Sequence, residues 1–112
     1  MQTKLLEMAN IFVGLELSGS PVPVYHYNAP DASAPHYCVW SEDDRIDGTG
    51  DNIHPLKAWQ GTFDLYTVTE FDPLADEIEE LLESYEFFYR FEGADYEEET
   101  GLIHYQWVWS YA

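Results

Sequence analysis

A chain of 112 residues that is 46% hydrophobic and 17% aromatic has apolar surface enough for one core and too much of it for a disordered acidic tail. Its 22 acidic residues face only Lys4, Arg45, Lys57 and Arg90, a formal charge of −18 at pH 7. Such a field opposes direct grip on nucleic-acid phosphates or an anionic membrane, and leaves open a basic partner, a cation, solubility, or a surface that nucleic acid passes without sticking.

Taken from the start, Met1-Gln2-Thr3-Lys4 is followed by no apolar run of signal-peptide length, and no stretch approaches the ~20 apolar residues that span a bilayer. The chain is therefore expected to be made and kept in a cytoplasm. Leu5, Met8, Ala9 and Phe12 lie on one helical face between Thr3 and Phe12, which predicts a first helix ending near Gly14. Val22, Val24 and His26 alternate with Pro23, Tyr25 and Tyr27; the prolines at 21 and 23 confine this segment to a short edge strand. His36-Tyr37-Cys38-Val39-Trp40 has the β-branched and aromatic content of a strand, with Cys38, the single cysteine, as a buried residue within it.

Glu42 to Pro55 is the most polar segment and reads as a long loop or flexible hairpin. Counted as a calcium loop from Asp43, its third position is Arg45 and its twelfth His54, so two ligand positions fail. From Lys57 to Thr69 a period of two sets Trp59, Gly61, Phe63, Leu65 and Thr67 against Ala58, Gln60, Thr62, Asp64, Tyr66 and Val68, which predicts the longest central strand. Asp72-Pro73 is an N-cap with proline at the first helical position; Leu74, Ile78, Leu81, Leu82 and Tyr85 follow helical offsets, and Leu74, Ile78, Leu81 and Leu82 are expected to pack a second helix on the sheet. Glu77, Glu79, Glu80, Glu83 and Glu86 are expected on the solvated side. Phe87, Tyr89 and Phe91, then Ile103, Tyr105, Trp107 and Trp109, alternate as two strands of an antiparallel hairpin that turns around Glu99-Thr100-Gly101.

This order predicts one domain, residues 1–112, of the α+β class: an antiparallel or mixed sheet of four to five strands with two helices packed on one face. No catalytic, cofactor-binding or metal-ligating residue is expected. The four histidines lack metal-ligand spacing, although His36 and His104 would approach each other if their strands were neighbours, and a Cys38–His pair for nucleophilic chemistry lacks an oxyanion-forming glycine turn and would place its cysteine in mid-strand. Between Glu70 and Glu99 thirteen acidic residues face one base, Arg90, a one-sidedness that solubility alone does not require. Trp40, Trp59, Tyr66, Trp107 and Trp109 are the aromatic candidates for a protein interface.

The succession of a short N-terminal helix, Pro21-Val22-Pro23-Val24-Tyr25, Pro35 before Tyr37-Cys38-Val39-Trp40, an acidic loop with Asp51-Asn52, Thr62-Phe63-Asp64-Leu65-Tyr66-Thr67, Asp72-Pro73 opening an acidic helix, and Tyr96-Glu97-Glu98-Glu99-Thr100-Gly101-Leu102 before a closing aromatic strand resembles the tail terminator or tail-completion proteins of long-tailed phages and prophages, often labelled minor capsid proteins. The likeness covers nearly the whole chain, which departs from the pattern in its few lysines and four tryptophans. It implies a non-enzymatic ring homo-oligomer, commonly a hexamer, that sits in the virion at the head-proximal end of the tail tube after assembly in the host cytoplasm. There it would contact the tail-tube protein, stop tube polymerisation and meet the head connector. Glu42, Asp43, Asp44, Asp47 and Asp51 are then the candidates for an acidic surface or lumen that DNA passes without adhering. The same charge also suits an acidic DNA mimic that occupies the basic groove of a nuclease or restriction enzyme.

Overall fold

In chain order the elements are α1 (Gln2–Val13), β1 (Glu16–Leu17), β2 (Ser20–Pro21), β3 (Val24–His26), β4 (His36–Asp47), β5 (Lys57–Thr67), α2 (Leu74–Ser84), β6 (Phe88–Glu97) and β7 (Leu102–Tyr111). The computed structural model describes residues 2–14, 16–17, 20–29, 35–47 and 57–111. The fold is α+β, with a mixed five-stranded sheet in the order β3-β4-β5-β7-β6 and a separate two-stranded pair, β1-β2. β3 runs parallel to β4, and the other neighbours are antiparallel.

The alternation along β5 places Phe63 and Leu65 on one face, and the register carries that face across the sheet. Trp40, Phe63 and Trp107 lie side by side on β4, β5 and β7, as do Cys38, Leu65 and Tyr105. Cys38, Trp40, Phe63, Leu65, Trp107 and Trp109 are buried there in one cluster with Met8 and Phe12 of α1 and Leu74, Ile78 and Leu82 of α2. Phe12 is the central plug, its ring centroid 5.0 Å from Trp40, 4.9 Å from Phe63 and 5.4 Å from Phe87. Leu81, expected in the core, is only partly buried against this cluster, because the buried stripe of α2 follows 74, 78 and 82.

Gly61 makes room for this packing. It pairs with Glu42 on one side and Trp109 on the other. A Cβ there would overlap the Ser41 carbonyl oxygen and come within 2.7 Å of Trp109 Cζ2 and 2.8 Å of Glu42 Cα. Only a residue without a side chain lets strand and indole approach so closely.

α2 begins one residue later than expected: Pro73, expected as the first helical residue, is the N-cap, and Asp72 lies two residues before Leu74. Its Oδ1 accepts from the Leu74 amide at 2.9 Å and its Oδ2 from the Thr67 hydroxyl at 2.6 Å, tying the end of β5 to the helix start. At the other end Glu86 takes a left-handed φ of 63° and the Phe87 amide donates to the Leu82 carbonyl at 2.9 Å, a closure that turns Phe87 into the core. Glu79 and Glu83 are not merely solvated. Trp107 Nε1 donates to Glu79 at 2.8 Å and the Tyr89 hydroxyl to Glu83 at 2.6 Å, so their long side chains reach back to the sheet.

Two strands outrun their apolar patterns. β4 continues through Glu42–Asp47, paired with Lys57–Gly61, where a loop was expected; residues 48–56 lie outside the described segments. The cause is backbone pairing: a ladder satisfies amides and carbonyls whatever the side chains. Likewise β6 runs past Phe91 to Glu97 through a bulge between Phe91 and Gly93, where the φ of 149° suits glycine.

Candidate functional site

The structure redistributes the aromatic and acidic candidates. Trp40, Trp107 and Trp109 lie in the core, not on an exposed face, because their register faces the buried cluster. Trp59 is half-buried against that cluster, and Tyr66 is half-buried on the opposite face. Of the acidic candidates, Asp43 is exposed, Asp44 and Asp47 are strand residues of β4, and Asp51 lies outside the described residues. Glu42 is not a free surface acid: its side chain is 10% exposed and bound on both oxygens.

That Glu42 site forms a clasp at the sheet edge. Tyr27, with a left-handed φ of 76°, stacks on the His26 ring at 3.7 Å, and the other side of the imidazole rests on Trp40 at 4.0 Å. His26 Nε2 lies 2.7 Å from Glu42 Oε2, and the Tyr27 hydroxyl donates to Oε1. Burial raises the carboxyl pKa, but the hydrogen bonds from Tyr27 and His26 outweigh it and hold Glu42 below its ordinary value. With both oxygens engaged, the group fastens β3 to β4 just before the ladder shifts register between Glu42 and Asp44.

On the sheet face opposite the core, Asp64 Oδ1 accepts from His104 Nε2 at 2.8 Å and from Gln106 Nε2 at 3.0 Å. The His104 ring stacks on Tyr66 at 4.4 Å and Tyr66 on Tyr37 at 4.9 Å, a ladder crossing β7, β5 and β4. Burial, then the Asp64 and Glu97 charges, push the Tyr66 phenol up to about 12. His36 takes no part: β5 separates β4 from β7, so the two histidine strands are not neighbours. The hydrogen bond to Asp64, assisted by the charges of Asp64, Glu97 and Asp95 and opposed by burial, raises His104 above its usual value.

A raised histidine stabilises the fold fully below its unfolded pKa of about 6.5, and that contribution is lost as pH rises through the folded value. Urea titrations of wild type and His104→Gln should therefore differ more near pH 6 than near pH 8. An unchanging difference would show that the pair does not titrate with folding.

The third feature is the free edge of β6. Among the described residues it pairs only with β7, and its ten residues expose Phe88 (78%), Phe91 (46%) and Tyr96 (64%). Its one base, Arg90, is held by Glu92 at 3.1 Å. An open groove at the far end is lined by Val68, Glu70, Ala94, Asp95, Tyr96 and Ile103. The alternating aromatics of this hairpin are visible in the sequence; that β6 stays at the edge depends on β7 inserting beside β5. Among the described residues no group of three or more metal-binding side chains converges, and no helix is long and apolar enough to cross a membrane. The sequence matches no family model and no curated protein.

Proposed function

We propose that the chain is a structural assembly protein of the tail-terminator kind, which forms a ring of copies, six by resemblance, caps the tail tube, ends its polymerisation and joins tail to head. The observation that carries this reading is the β6 edge, ten residues without proline or lysine and with three exposed aromatics. The strand does carry four charges, Arg90, Glu92, Asp95 and Glu97, and a bulge, devices that blunt edges in monomers, so the reading rests on its length and on exposed aromatics of a size that suits an interface. Support for contacts between copies comes from α1, where Leu6 and Val13 form an exposed outward stripe while Lys4 and Glu7 are the only charged side chains. On a chain of −18, two copies meet there at the least electrostatic cost. The reading requires no cofactor, and its partners are other copies, the tail-tube protein and the head connector, not nucleic acid or a membrane.

Because screening shortens from ~10 Å at 0.1 M salt to ~3 Å at 1 M, self-association should strengthen as salt rises. Sedimentation velocity across a salt series reads this directly, and association that weakens with salt would contradict it. A second reading, the DNA mimic, draws support from the elongated 49 × 27 × 25 Å envelope together with the acidic excess. It predicts the reverse: little self-association at any salt, and a complex with a basic nuclease that salt weakens.

A further inference from the structure

Resting on the assembly reading, we propose that the free β6 edge is the docking site for an extended segment of a different protein, alternating apolar and basic residues, which joins the sheet as a sixth strand. Backbone hydrogen bonds supply the attraction in such strand addition, and the side chains flanking the edge supply the choice of partner.

The two faces of β6 differ in a way that specifies both halves of the pattern. Phe91, Ala94 and Tyr96 stand opposite Trp107, Tyr105 and Ile103 of β7 and so share one apolar face. Asp95, opposite His104, lies on the other face, with Glu92 at the bulge and Glu97 at the strand end. A strand laid ~4.8 Å from β6 places alternate side chains on these two faces. Its apolar residues would lie beside Phe91 and Tyr96 and enter the groove over Val68 and Ile103, whose rim carries Glu70 and Asp95. Its basic residues would lie beside Asp95 and Glu97, with Glu98 and Glu99 just beyond in the turn.

Charge decides against the same edge of a second copy as the occupant. In-register parallel pairing of β6 with its own equivalent would bring Glu92, Asp95 and Glu97 against the same acids, and antiparallel pairing would still join two strands that each carry these three acids against one base, Arg90, already held by Glu92 in its own strand. Directly opposed like charges destabilise a ladder, whereas Lys or Arg opposite these carboxylates stabilises it. Copies then meet through the nearly neutral α1 surface, which leaves β6 free for the foreign strand.

The test uses the full chain and a ten-residue capped peptide of alternating lysine and valine. Two controls accompany it: a peptide of the same composition with the lysines and valines in separate blocks, and an alternating glutamate–valine peptide. Amide exchange followed by mass spectrometry should slow in residues 88–97 with the alternating basic peptide only. Binding read by fluorescence anisotropy should fall about tenfold in Tyr96→Lys and in Asp95→Lys, as removal of a central anchor does, and should weaken with salt. Near-ultraviolet circular dichroism confirms that both variants, which alter exposed side chains, remain folded. Unchanged exchange in 88–97, equal binding of either control, or protection of 88–97 that grows with protein concentration in the absence of peptide would each overturn the proposal. The sedimentation series on the chain alone reads the assembly reading separately, so loss of one does not entail loss of the other.

Discussion

Gly61→Ala should destabilise the fold by about 3 kcal/mol or more, the upper range for overpacking a filled site. The added methyl meets the Ser41 carbonyl and the Glu42 backbone on one side and the Trp109 ring on the other. Neither backbone atom can swing aside as a side chain does, so β4 and β5 would have to part or Trp109 leave its place among Phe12, Phe87 and Trp40. Against the 5–15 kcal/mol stability of an ordinary domain, that loss is a large fraction. Gly14→Ala is the internal control, since a methyl there meets nothing nearer than 3.4 Å. Urea denaturation of the two variants should separate them clearly; equal midpoints would mean that Gly61 does not set the spacing between strand and indole.

Ile78→Ala should cost about 2–5 kcal/mol, the range for deleting a fully buried branched side chain and leaving a cavity. Ile78 lies in the middle of the buried stripe of α2, between Leu74 and Leu82, and has no solvent exposure. Leu81→Ala should cost distinctly less, because Leu81 only flanks the cluster. Equal losses for the two variants in a denaturant titration would mean that the helix presents a broader face to the core than its buried residues indicate.

Both helices and the central strand are legible in the sequence because their apolar periods are long and unbroken. Leu5, Met8, Ala9 and Phe12 repeat at helical spacing, and Phe63, Leu65 and Thr67 at strand spacing. The second half of β4 is not legible, since Glu42–Asp47 has no apolar period and its extended form comes from pairing with Lys57–Gly61. The tryptophans share a similar ambiguity. Alternation groups Trp107 with Trp109, but only the Gly61 opposite Trp109 marks which face has room for an indole.

The polar face was hidden for a topological reason. Alternation puts Asp64 with Tyr66 on one strand and His104 with Gln106 on another, yet α2 and β6 intervene in sequence, so nothing local reports that β5 and β7 are neighbours. Once they are, the Asp64–His104 hydrogen bond and the ring ladder follow from the register. The clasp at Glu42 depends in the same way on β3 lying parallel to β4, which brings His26 beside Trp40. The acidic surplus was plain from composition alone, and the structure assigns part of it: Glu42, Asp64, Asp72, Glu79 and Glu83 each hold a specific donor. Glu97 likewise accepts from the Thr100 hydroxyl at 3.1 Å, and with Asp95, Glu98 and Glu99 it flanks the strand edge of β6 and its turn.

The central claim, that this chain ends a growing tube as a ring, is tested most directly by electron microscopy of the chain mixed with the polymerising tail-tube subunit. The account predicts closed rings seated on one end of each tube, and tubes that become shorter as more of the chain is added. Tubes of unchanged length with the chain remaining monomeric, together with tight and salt-sensitive binding of the chain to a basic nuclease, would contradict it.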